Sequence, residues 1–408
     1  MSLAISNRSN ALVQSEIRNM SIECDRVGGI NMSQGICDME LPLPVRLGAS
    51  DAMILGENHY TRYDGLEPLR KAIAGKMESY NKIKCDPEKN IIVSAGATGA
   101  FYSACLALLN PGDEVILFEP YYGYHVNTLV AAGAVPVFVP MTPPDWDFTV
   151  QDLEKAVTPR TKGIMICTPG NPTGKCFTQR ELDLLADFAM RHDIFVFTDE
   201  IYEYFVFDGR RHISPGAIER IADRTITISG YSKTFSITGW RIGYAVCHEK
   251  WQRMIGYIND LVYVCAPAPL QMGVARGITE LPSEYYQRLC NEYYQKREKV
   301  CGTLKQIGLT PHVPQGAYYV LVDVSRLPGR NSKEKALFLL QTVGVAVVPG
   351  SAFHSAGRGE NLARFCFAKP PKVLDEACAR LLRLQGQLPA REAKSEKSQD
   401  DIFNKKGT

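Results

Sequence analysis

Residues 90–109 read NIIVSAGATGAFYSACLALL and contain the pattern that decides the fold. A short β-rich run ends in a glycine turn, and a helical pattern follows it directly. The same succession recurs at 113–133 and at 161–192, and IFVFTDE (194–200) supplies a further strand. Strands that alternate with helices predict an α/β protein with a mainly parallel sheet covered by helices on both faces. Ligands of such sheets bind at the carboxyl ends of the strands.

A second alternating block follows a long helical pattern at 282–307. It contains the strand-like AYYVLVDVS (317–325) and the helical PKVLDEACARLLRL (371–384), so we expect a smaller α/β domain there. Residues 391–408 are charged and lack an apolar period, which predicts a disordered tail.

Composition favours a globular protein that acts on a small molecule. The 408 residues are 45% hydrophobic, enough for a large core and two domains. With 46 basic and 44 acidic side chains the net charge is +2, so no overall field attracts nucleic acid or an anionic membrane surface. No apolar signal segment or run of about 18 apolar residues occurs, and we therefore expect a cytoplasmic protein.

The cysteines and histidines do not predict a metal site. Twelve cysteines without a CxxC pair are interpreted as reduced, small apolar side chains. The seven histidines show neither HxxxH nor HExxH spacing, so we predict no metal.

Two glycine-rich segments resemble nucleotide sites without matching them. GNPTGKC (170–176) is one residue too short between its glycines for a P-loop and ends in cysteine where Ser or Thr is required. SAGATGA (94–100) lacks the GxGxxG spacing of NAD-binding proteins. It does join a strand to a helix, whose free N–H groups make Gly96, Ala97 and Thr98 candidates for holding a phosphate.

The segment GYSKTFSITGWRIG (230–243) places one lysine and one arginine in an apolar neighbourhood. A lone Lys233 is usually a side chain whose ammonium reaches out to water. Arg241, flanked by glycines, offers the fork geometry that suits a phosphate.

Three further residues could be functional, but each of them taken singly also has an ordinary structural explanation. Asp199 ends a run too apolar for a solvated carboxylate, although it could cap a helix or form an ion pair. Asn171 could belong to an ordinary turn, and Tyr122 to the aromatic core. A phosphate site, a Schiff-base amine, a carboxylate, a stacking aromatic ring and an Asn donor together describe a site for pyridoxal 5′-phosphate.

At these residues the chain resembles the class I and II aminotransferases, the aspartate aminotransferase family of PLP fold type I. The resemblance covers about residues 32–384 and is carried by YTRYDGLEPLRKAIA, PGDEVILFEPYY, NPTGK, DEIYE, SKTFSITGWRIGYA, PQGAYY, VVPGSAF and RFCFA. It implies a large domain with a mainly parallel seven-stranded sheet between helices and a smaller α/β domain. The implied boundaries are 48–285 for the large domain, and 1–47 with 286–390 for the small one.

The resemblance also assigns roles around the coenzyme ring. Lys233 would carry the coenzyme as a Schiff base and move the substrate proton as acid and base. Asp199 would keep the pyridine nitrogen protonated. Asn171 and Tyr202 would hydrogen-bond the ring hydroxyl, and Tyr122 would stack on the ring.

Further roles follow for the phosphate and the substrate. The resemblance implies that the phosphate is held by Gly96, Ala97, Thr98 and Arg241. Tyr60 would reach it from the other subunit of a homodimer. Arg364 would clamp the substrate α-carboxylate, with Asn171 beside it and the backbone at Gly35 closing over it.

One position departs from the family pattern. Many relatives have a phosphate-binding serine three residues before the lysine, where this chain has Gly230. Ser229 and Ser232 lie on either side. The resemblance leaves open which of them contacts the phosphate, and Ser232 is taken as the candidate.

These residues predict a homodimeric, PLP-dependent aminotransferase that moves an amino group from an L-amino acid to a 2-oxo acid. The donor is either of the aspartate type or of the aromatic, kynurenine or glutamine type. The alternative on the same fold is a PLP-dependent carbon–sulfur β-lyase. A PLP-sensing transcription regulator would need a DNA-binding domain, and about 30 residues before the first family motif are too few for one.

Overall fold

The computed structural model describes residues 3–37 and 39–389. The tail predicted at 391–408 lies outside the described residues. The strands of the described part are β1 (Ile30–Asn31), β2 (Ile91–Ala95), β3 (Glu114–Glu119), β4 (Val135–Pro140), β5 (Thr161–Cys167), β6 (Phe195–Asp199), β7 (Thr225–Gly230), β8 (Ile242–Val246), β9 (Thr310–His312), β10 (Tyr319–Asp323), β11 (Val345–Ala346), β12 (Val348–Pro349) and β13 (Leu362–Cys366).

The α-helices of the described residues cover the sheets and connect their strands. They are α1 (Asn7–Ala11), α2 (Glu16–Arg26), α3 (Leu43–Ile54), α4 (Glu67–Lys76), α5 (Gly96–Leu108), α6 (Gly123–Ala132), α7 (Val150–Ala156), α8 (Gln179–His192), α9 (Glu249–Tyr263), α10 (Ala268–Glu280), α11 (Ser283–Gln306), α12 (Ser332–Val343) and α13 (Pro371–Leu382). A π-helical turn spans Met77–Asn81, and 3₁₀ turns span Pro215–Ala217, Glu219–Arg224 and Gly350–Phe353.

Seven strands form the large sheet, in the order β2-β8-β7-β6-β5-β3-β4. Strand β8 runs antiparallel to both of its neighbours, and the other pairings are parallel. The predicted mainly parallel seven-stranded sheet is therefore confirmed. The carboxyl ends of β5, β6 and β7 lie side by side, and they carry the segments that follow Cys167, Asp199 and Gly230.

Helices pack on both faces of this sheet because its strands are apolar on both sides. On β5, Met165 belongs to the core beneath α5, whereas Ile164 and Ile166 belong to the core beneath α8. Successive side chains of a strand point to opposite faces. A strand whose residues are all apolar, without polar alternation, therefore contributes to the core on each face of the sheet. Helix α8 starts at a capping box between Thr178 and Glu181.

A smaller antiparallel sheet has the order β12-β13-β10-β9 and packs with α11, α12 and α13. The N-terminal segment joins this block through β1, which pairs in parallel with β11. The domain boundaries that the resemblance implies stay a prediction.

None of the described helices combines the length and apolar character needed to cross a membrane. The twelve cysteines all lie among the described residues as free thiols, and eight of them are buried.

Candidate active site

A cavity of about 520 Å³ lies at the carboxyl ends of the parallel strands. Small-molecule and cofactor sites typically occupy about 300–1,000 Å³. Eleven of the residues singled out from the sequence line it: Gly35, Ala97, Thr98, Tyr122, Asn171, Asp199, Tyr202, Ser232, Lys233, Arg241 and Arg364. They come from segments far apart in the chain, so the fold brings one coherent set of side chains together.

One end of the cavity is built to accept an anion. Gly96 begins α5 with φ +74°, and a Cβ atom there would lie 2.2 Å from Nη2 of Arg241. A Cβ atom on Gly243 would lie 2.3 Å from the backbone N of Ala97. Glycine at both positions therefore lets the guanidinium and the first turn of α5 approach each other. No side chain caps the start of α5, so its N–H groups and Arg241 together favour an anionic ligand.

A buried carboxylate, Asp199, lies at the end of β6. Its Oδ1 accepts a hydrogen bond of 3.2 Å from the backbone N–H of Ile201, and its Oδ2 lies 2.8 Å from Nε2 of His125. The His125 ring meets the Tyr122 ring edge to face, with centroids 5.2 Å apart. His125 could not be identified from the sequence, because a lone histidine near the start of a helix has no spacing that identifies its partner.

Lys233 follows β7 and donates a hydrogen bond of 3.1 Å from Nζ to the carbonyl oxygen of Gly35. The hydroxyl of Tyr318 donates to the same oxygen over 3.2 Å. Burial lowers the pKa of the Lys233 amine below its ordinary value of 10.5. A lowered pKa increases the neutral fraction of the amine, which is the form that attacks a carbonyl group.

Two tyrosine hydroxyls meet beside Gly35, where a Cβ atom would overlap the hydroxyl of Tyr319. Oη of Tyr202 lies 3.0 Å from Oη of Tyr319, and burial raises the pKa of Tyr202 well above 10. The PQGAYY segment carries part of the family resemblance, but no role for Tyr319 followed from it. Its ring also lies 4.1 Å from the guanidinium carbon of Arg364, so it belongs to the wall around that cation.

Arg364 lies on β13 and is fully buried. Its Nη1 donates to Oδ1 of Asn171 over 2.8 Å, and its Nη2 donates to the carbonyl oxygen of Ser33 over 2.6 Å. Nε has no hydrogen-bond partner, and no carboxylate of the described residues pairs with this guanidinium. A buried cation without an anionic partner is costly, so the site suits a carboxylate ligand.

Three predicted residues have other surroundings. Ser229 donates to Oε1 of Glu203 over 3.0 Å and lies away from the cavity, whereas Ser232 lines it. Gly96 is next to the cavity and in contact with Arg241, without being part of the lining. Tyr60 is 84% exposed and lies outside the cavity of its own chain.

A second buried cluster lies behind the cavity wall, where Glu200, Glu203 and His212 bring their side-chain atoms within 4.8 Å of one another. The carboxylates already accept hydrogen bonds from neighbouring groups. Glu203 pairs with Lys76 at 2.5 Å, and Glu200 accepts from His212 at 2.7 Å and from Ser214 at 2.7 Å. This set of contacts describes a hydrogen-bonded ion-pair network.

The cavity residues fit pyridoxal phosphate. The glycine-framed anion site suits the phosphate, and the buried Asp199 suits a protonated ring nitrogen. Lys233 supplies an amine of lowered pKa, and the Tyr122 ring offers a face for stacking.

Comparisons with known proteins match most of the chain to one family. The family model described as aminotransferase class I and II matches residues 27–381. An aspartate aminotransferase from Pyrococcus abyssi is 34% identical over 93% of this chain and 97% of that protein. Kynurenine–oxoglutarate transaminase 3 from Rattus norvegicus is 34% identical over 85% of this chain and 83% of its own. The solved N-succinyldiaminopimelate aminotransferase from Mycobacterium tuberculosis superposes with a TM-score of 0.90, at 35% identity, over 93% of this chain and 100% of that one.

Proposed function

The chain belongs to the class I and II aminotransferases, with PLP fold type I, and we propose which of its residues perform the reaction and which substrates it takes. The activity itself is the PLP-dependent transfer of an amino group from an amino acid to a 2-oxo acid. The relatives' names include acidic and aromatic donors. The proposed substrates are L-amino acids of these two classes.

The observation that carries the assignment of roles is the presence of Lys233, Asp199 and Arg364 in one cavity. When bound, pyridoxal phosphate withdraws electrons from the substrate Cα, so that its proton can be removed. Lys233 would carry the coenzyme and then hold and return the Cα proton. Asp199, oriented by His125, would keep the proton on the ring nitrogen.

Arg364 would bind the α-carboxylate of the substrate. Asn171 and the Ser33 carbonyl hold the guanidinium in a fixed plane, and the Tyr319 ring covers one face. A fixed planar fork can bind a carboxylate with two parallel hydrogen bonds. This contact would orient every amino-acid substrate in the same way.

Tyr202 and Asn171 would hydrogen-bond the ring hydroxyl of the coenzyme, and Tyr122 would stack on its ring. Ala97, Thr98, Ser232 and Arg241 would bind the phosphate, with Gly96 allowing the close approach. Because Tyr60 is exposed in its own chain, we assign it to the cavity of a second subunit in a homodimer. Ile54, Leu55 and Leu261 are 82%, 76% and 82% exposed, and we assign these apolar side chains to the contact between the two subunits. A cytoplasmic location stays a prediction from the sequence.

A reaction with one substrate tests this function. The coenzyme-loaded enzyme is mixed with L-phenylalanine or L-glutamate in the absence of a 2-oxo acid, and the product is quantified. We expect one equivalent of the matching 2-oxo acid per active site and then no further product until an acceptor 2-oxo acid is added. The alternative carbon–sulfur β-lyase is tested with a cysteine conjugate, from which elimination would release pyruvate, ammonia and thiol over many turnovers. Such turnover, without transfer from phenylalanine or glutamate, would overturn the proposal.

A further inference from the structure

A buried glutamate joins the two main sheets of the molecule. Glu119 ends β3 of the large sheet and is fully buried. Its Oε2 accepts hydrogen bonds of 2.7 Å from both the backbone N–H and the hydroxyl of Ser355, and its Oε1 lies 2.7 Å from Nε of Arg358. Both partners belong to the segment 350–361, which connects β12 to β13 of the smaller sheet. The proposed reaction gives this carboxylate no role.

The segment between β12 and β13 is tightly folded. A Cβ atom on Gly350 would lie 2.3 Å from the carbonyl oxygen of Gly359, and Nδ1 of His354 lies 2.8 Å from the carbonyl oxygen of Gly350. Nη2 of Arg358 donates to the hydroxyl of Ser355 over 3.0 Å. Because the segment is compact, a contact that holds Ser355 and Arg358 in place also restrains the residues before them.

One residue of this segment packs on the guanidinium that would bind the substrate. The ring of Phe353 is fully buried, and its centroid lies 4.8 Å from the guanidinium carbon of Arg364. The carbonyl oxygen of Phe353 accepts a hydrogen bond of 2.9 Å from the backbone N–H of Tyr121. Tyr121 directly precedes Tyr122, the proposed stacking residue. The short stretch of chain that begins at Glu119 thus connects the stacking residue with the ring that packs on Arg364.

These contacts relate the substrate clamp to the coenzyme site. Given the proposed function, on which this inference rests, the carboxylate bound by Arg364 has to lie at a fixed position relative to the ring on Tyr122. A misplacement of about 1 Å in such an arrangement can lower a rate about 100-fold. We propose that Glu119 is a positioning residue for the amino-acid substrate. By binding the segment between β12 and β13, its carboxylate holds Phe353 against Arg364 and so fixes the guanidinium relative to the coenzyme.

The test uses Glu119→Gln, which keeps the shape of the side chain but removes the charge that pairs with Arg358. Glu114→Gln is the matched control. Glu114 begins the same strand, is buried and also binds an exposed arginine and a hydroxyl, Arg160 and Thr158, but both of these precede β5 of the same sheet.

Rates are measured with L-glutamate and with L-phenylalanine on the coenzyme-loaded proteins. We expect Glu119→Gln to lower kcat/KM for both donors by about tenfold, mainly through a higher KM, since a charge-assisted contact is lost. Glu114→Gln should change kcat/KM by less than about twofold.

Two binding measurements separate positioning from a general loss of structure. Pyridoxal phosphate is titrated into the apoenzymes, and 3-phenylpropionate, a carboxylate without an amino group, is titrated into the loaded enzymes by calorimetry. In Glu119→Gln the carboxylate should bind about tenfold more weakly, while the coenzyme binds as in the wild type. Arg358→Met breaks the same ion pair from its more exposed side and should reproduce part of the loss. The double variant should lose no more than Glu119→Gln alone, because both changes act through one contact.

Three results would overturn the inference. The first is wild-type kinetics and carboxylate binding in Glu119→Gln, and the second is an equal loss in Glu114→Gln. The third is an equal loss of coenzyme affinity, since Glu119 would then act through Tyr122 and not through Arg364. A failure of the proposed function is distinct, because the wild type would then transfer no amino group from any donor.

Discussion

Nε2 of His125 lies 2.8 Å from Oδ2 of Asp199, and both side chains are buried in the wall of the cavity at the carboxyl ends of the strands. The two residues are 74 positions apart, on α6 and at the end of β6. The other carboxylate oxygen, Oδ1, accepts from the backbone N–H of Ile201, so the two contacts together fix the orientation of the group. His125 is therefore a positioning residue for the carboxylate that would pair with the coenzyme ring.

Replacing His125 should weaken coenzyme binding. In His125→Phe the ring volume is kept, but the carboxylate loses the contact that holds it in position to pair with a ring cation. We expect the dissociation constant for pyridoxal phosphate to rise by about tenfold, and His125→Gln to recover part of the loss. Coenzyme titration of the apoenzyme followed by absorbance measures both values. Wild-type affinity in the Phe variant would contradict the role.

Arg364→Lys should separate substrate binding from coenzyme binding. Lysine keeps the charge but loses the planar fork, so we expect kcat/KM for every amino-acid donor to fall by about 100-fold or more. The dissociation constant for the coenzyme should stay at its wild-type value. If coenzyme affinity fell while turnover was kept, Arg364 would belong to the phosphate site instead.

Lys233 gives the coenzyme-free protein a specific pH dependence of stability. Its pKa in the folded protein lies below 10.5, so between that lowered pKa and 10.5 the unfolded chain binds a proton that the folded one does not. The contribution of Lys233 to the free energy of unfolding is greatest above pH 10.5 and decreases as the pH falls through this window. Lys233→Met removes the effect. The free energy of unfolding of both proteins is measured with urea at several pH values from neutral to 10.5. The difference between the two proteins should change with pH over this range. A difference that stays constant would contradict the lowered pKa.

Tyr60 should act across the dimer interface. Lys233→Ala and Tyr60→Ala homodimers are each expected to be impaired, but after subunit exchange in equal amounts about half of the dimers are mixed. Each mixed dimer has one repaired site, so roughly one quarter of all sites should recover.

The control for Tyr60 mixes the Lys233→Ala/Tyr60→Ala double variant with the wild type. If Tyr60 serves its neighbour, about one quarter of all sites stay intact, whereas about one half stay intact if it serves its own chain. Mixed dimers are quantified by native mass spectrometry. The cross-subunit role fails if these dimers form without any recovery of activity.

The buried pair between Lys76 and Glu203 should matter for stability more than an exposed pair on the same helix. Burial by itself would raise the pKa of Glu203, but Lys76 and His212 hold it below 4.5. Lys76→Met leaves a buried charge unpaired, so we expect a loss of about 3–5 kcal/mol in the free energy of unfolding. Lys71→Met, which breaks the exposed pair with Glu67, should lower the stability far less, because water screens that pair.

Two further measurements test that network. Lys76→Met combined with Glu203→Gln should lose less stability than Lys76→Met alone, because no unpaired charge is left. The stability that Glu203 contributes is present above pH 4.5 and decreases as the pH falls through its lowered pKa. Chemical unfolding at several pH values measures both effects, and equal losses for Lys76→Met and Lys71→Met would contradict the prediction.

Local patterns in the sequence were sufficient to predict the strands, the helices and the edge of the sheet that carries the site. The alternation of β-rich runs and helical patterns identified the parallel sheet, since apolar periodicity depends on residues close together in the chain. Asp199 and Lys233 could be placed at carboxyl ends because each directly follows a strand run. The roles of Tyr202, Asn171 and Arg364 came from the family resemblance, because their own neighbourhoods have ordinary structural explanations.

Only the tertiary structure decided which side chains meet. Arg364 contacts Asn171 across 193 positions, Lys233 contacts the Gly35 carbonyl across 198, and Asp199 contacts His125 across 74. Tyr319 and Arg18 likewise enter the cavity from distant segments. Such contacts depend on the order of strands in the sheets and on how helices pack against them. A local pattern states which face of an element is buried, but the neighbour on that face is set by the packing of the whole chain.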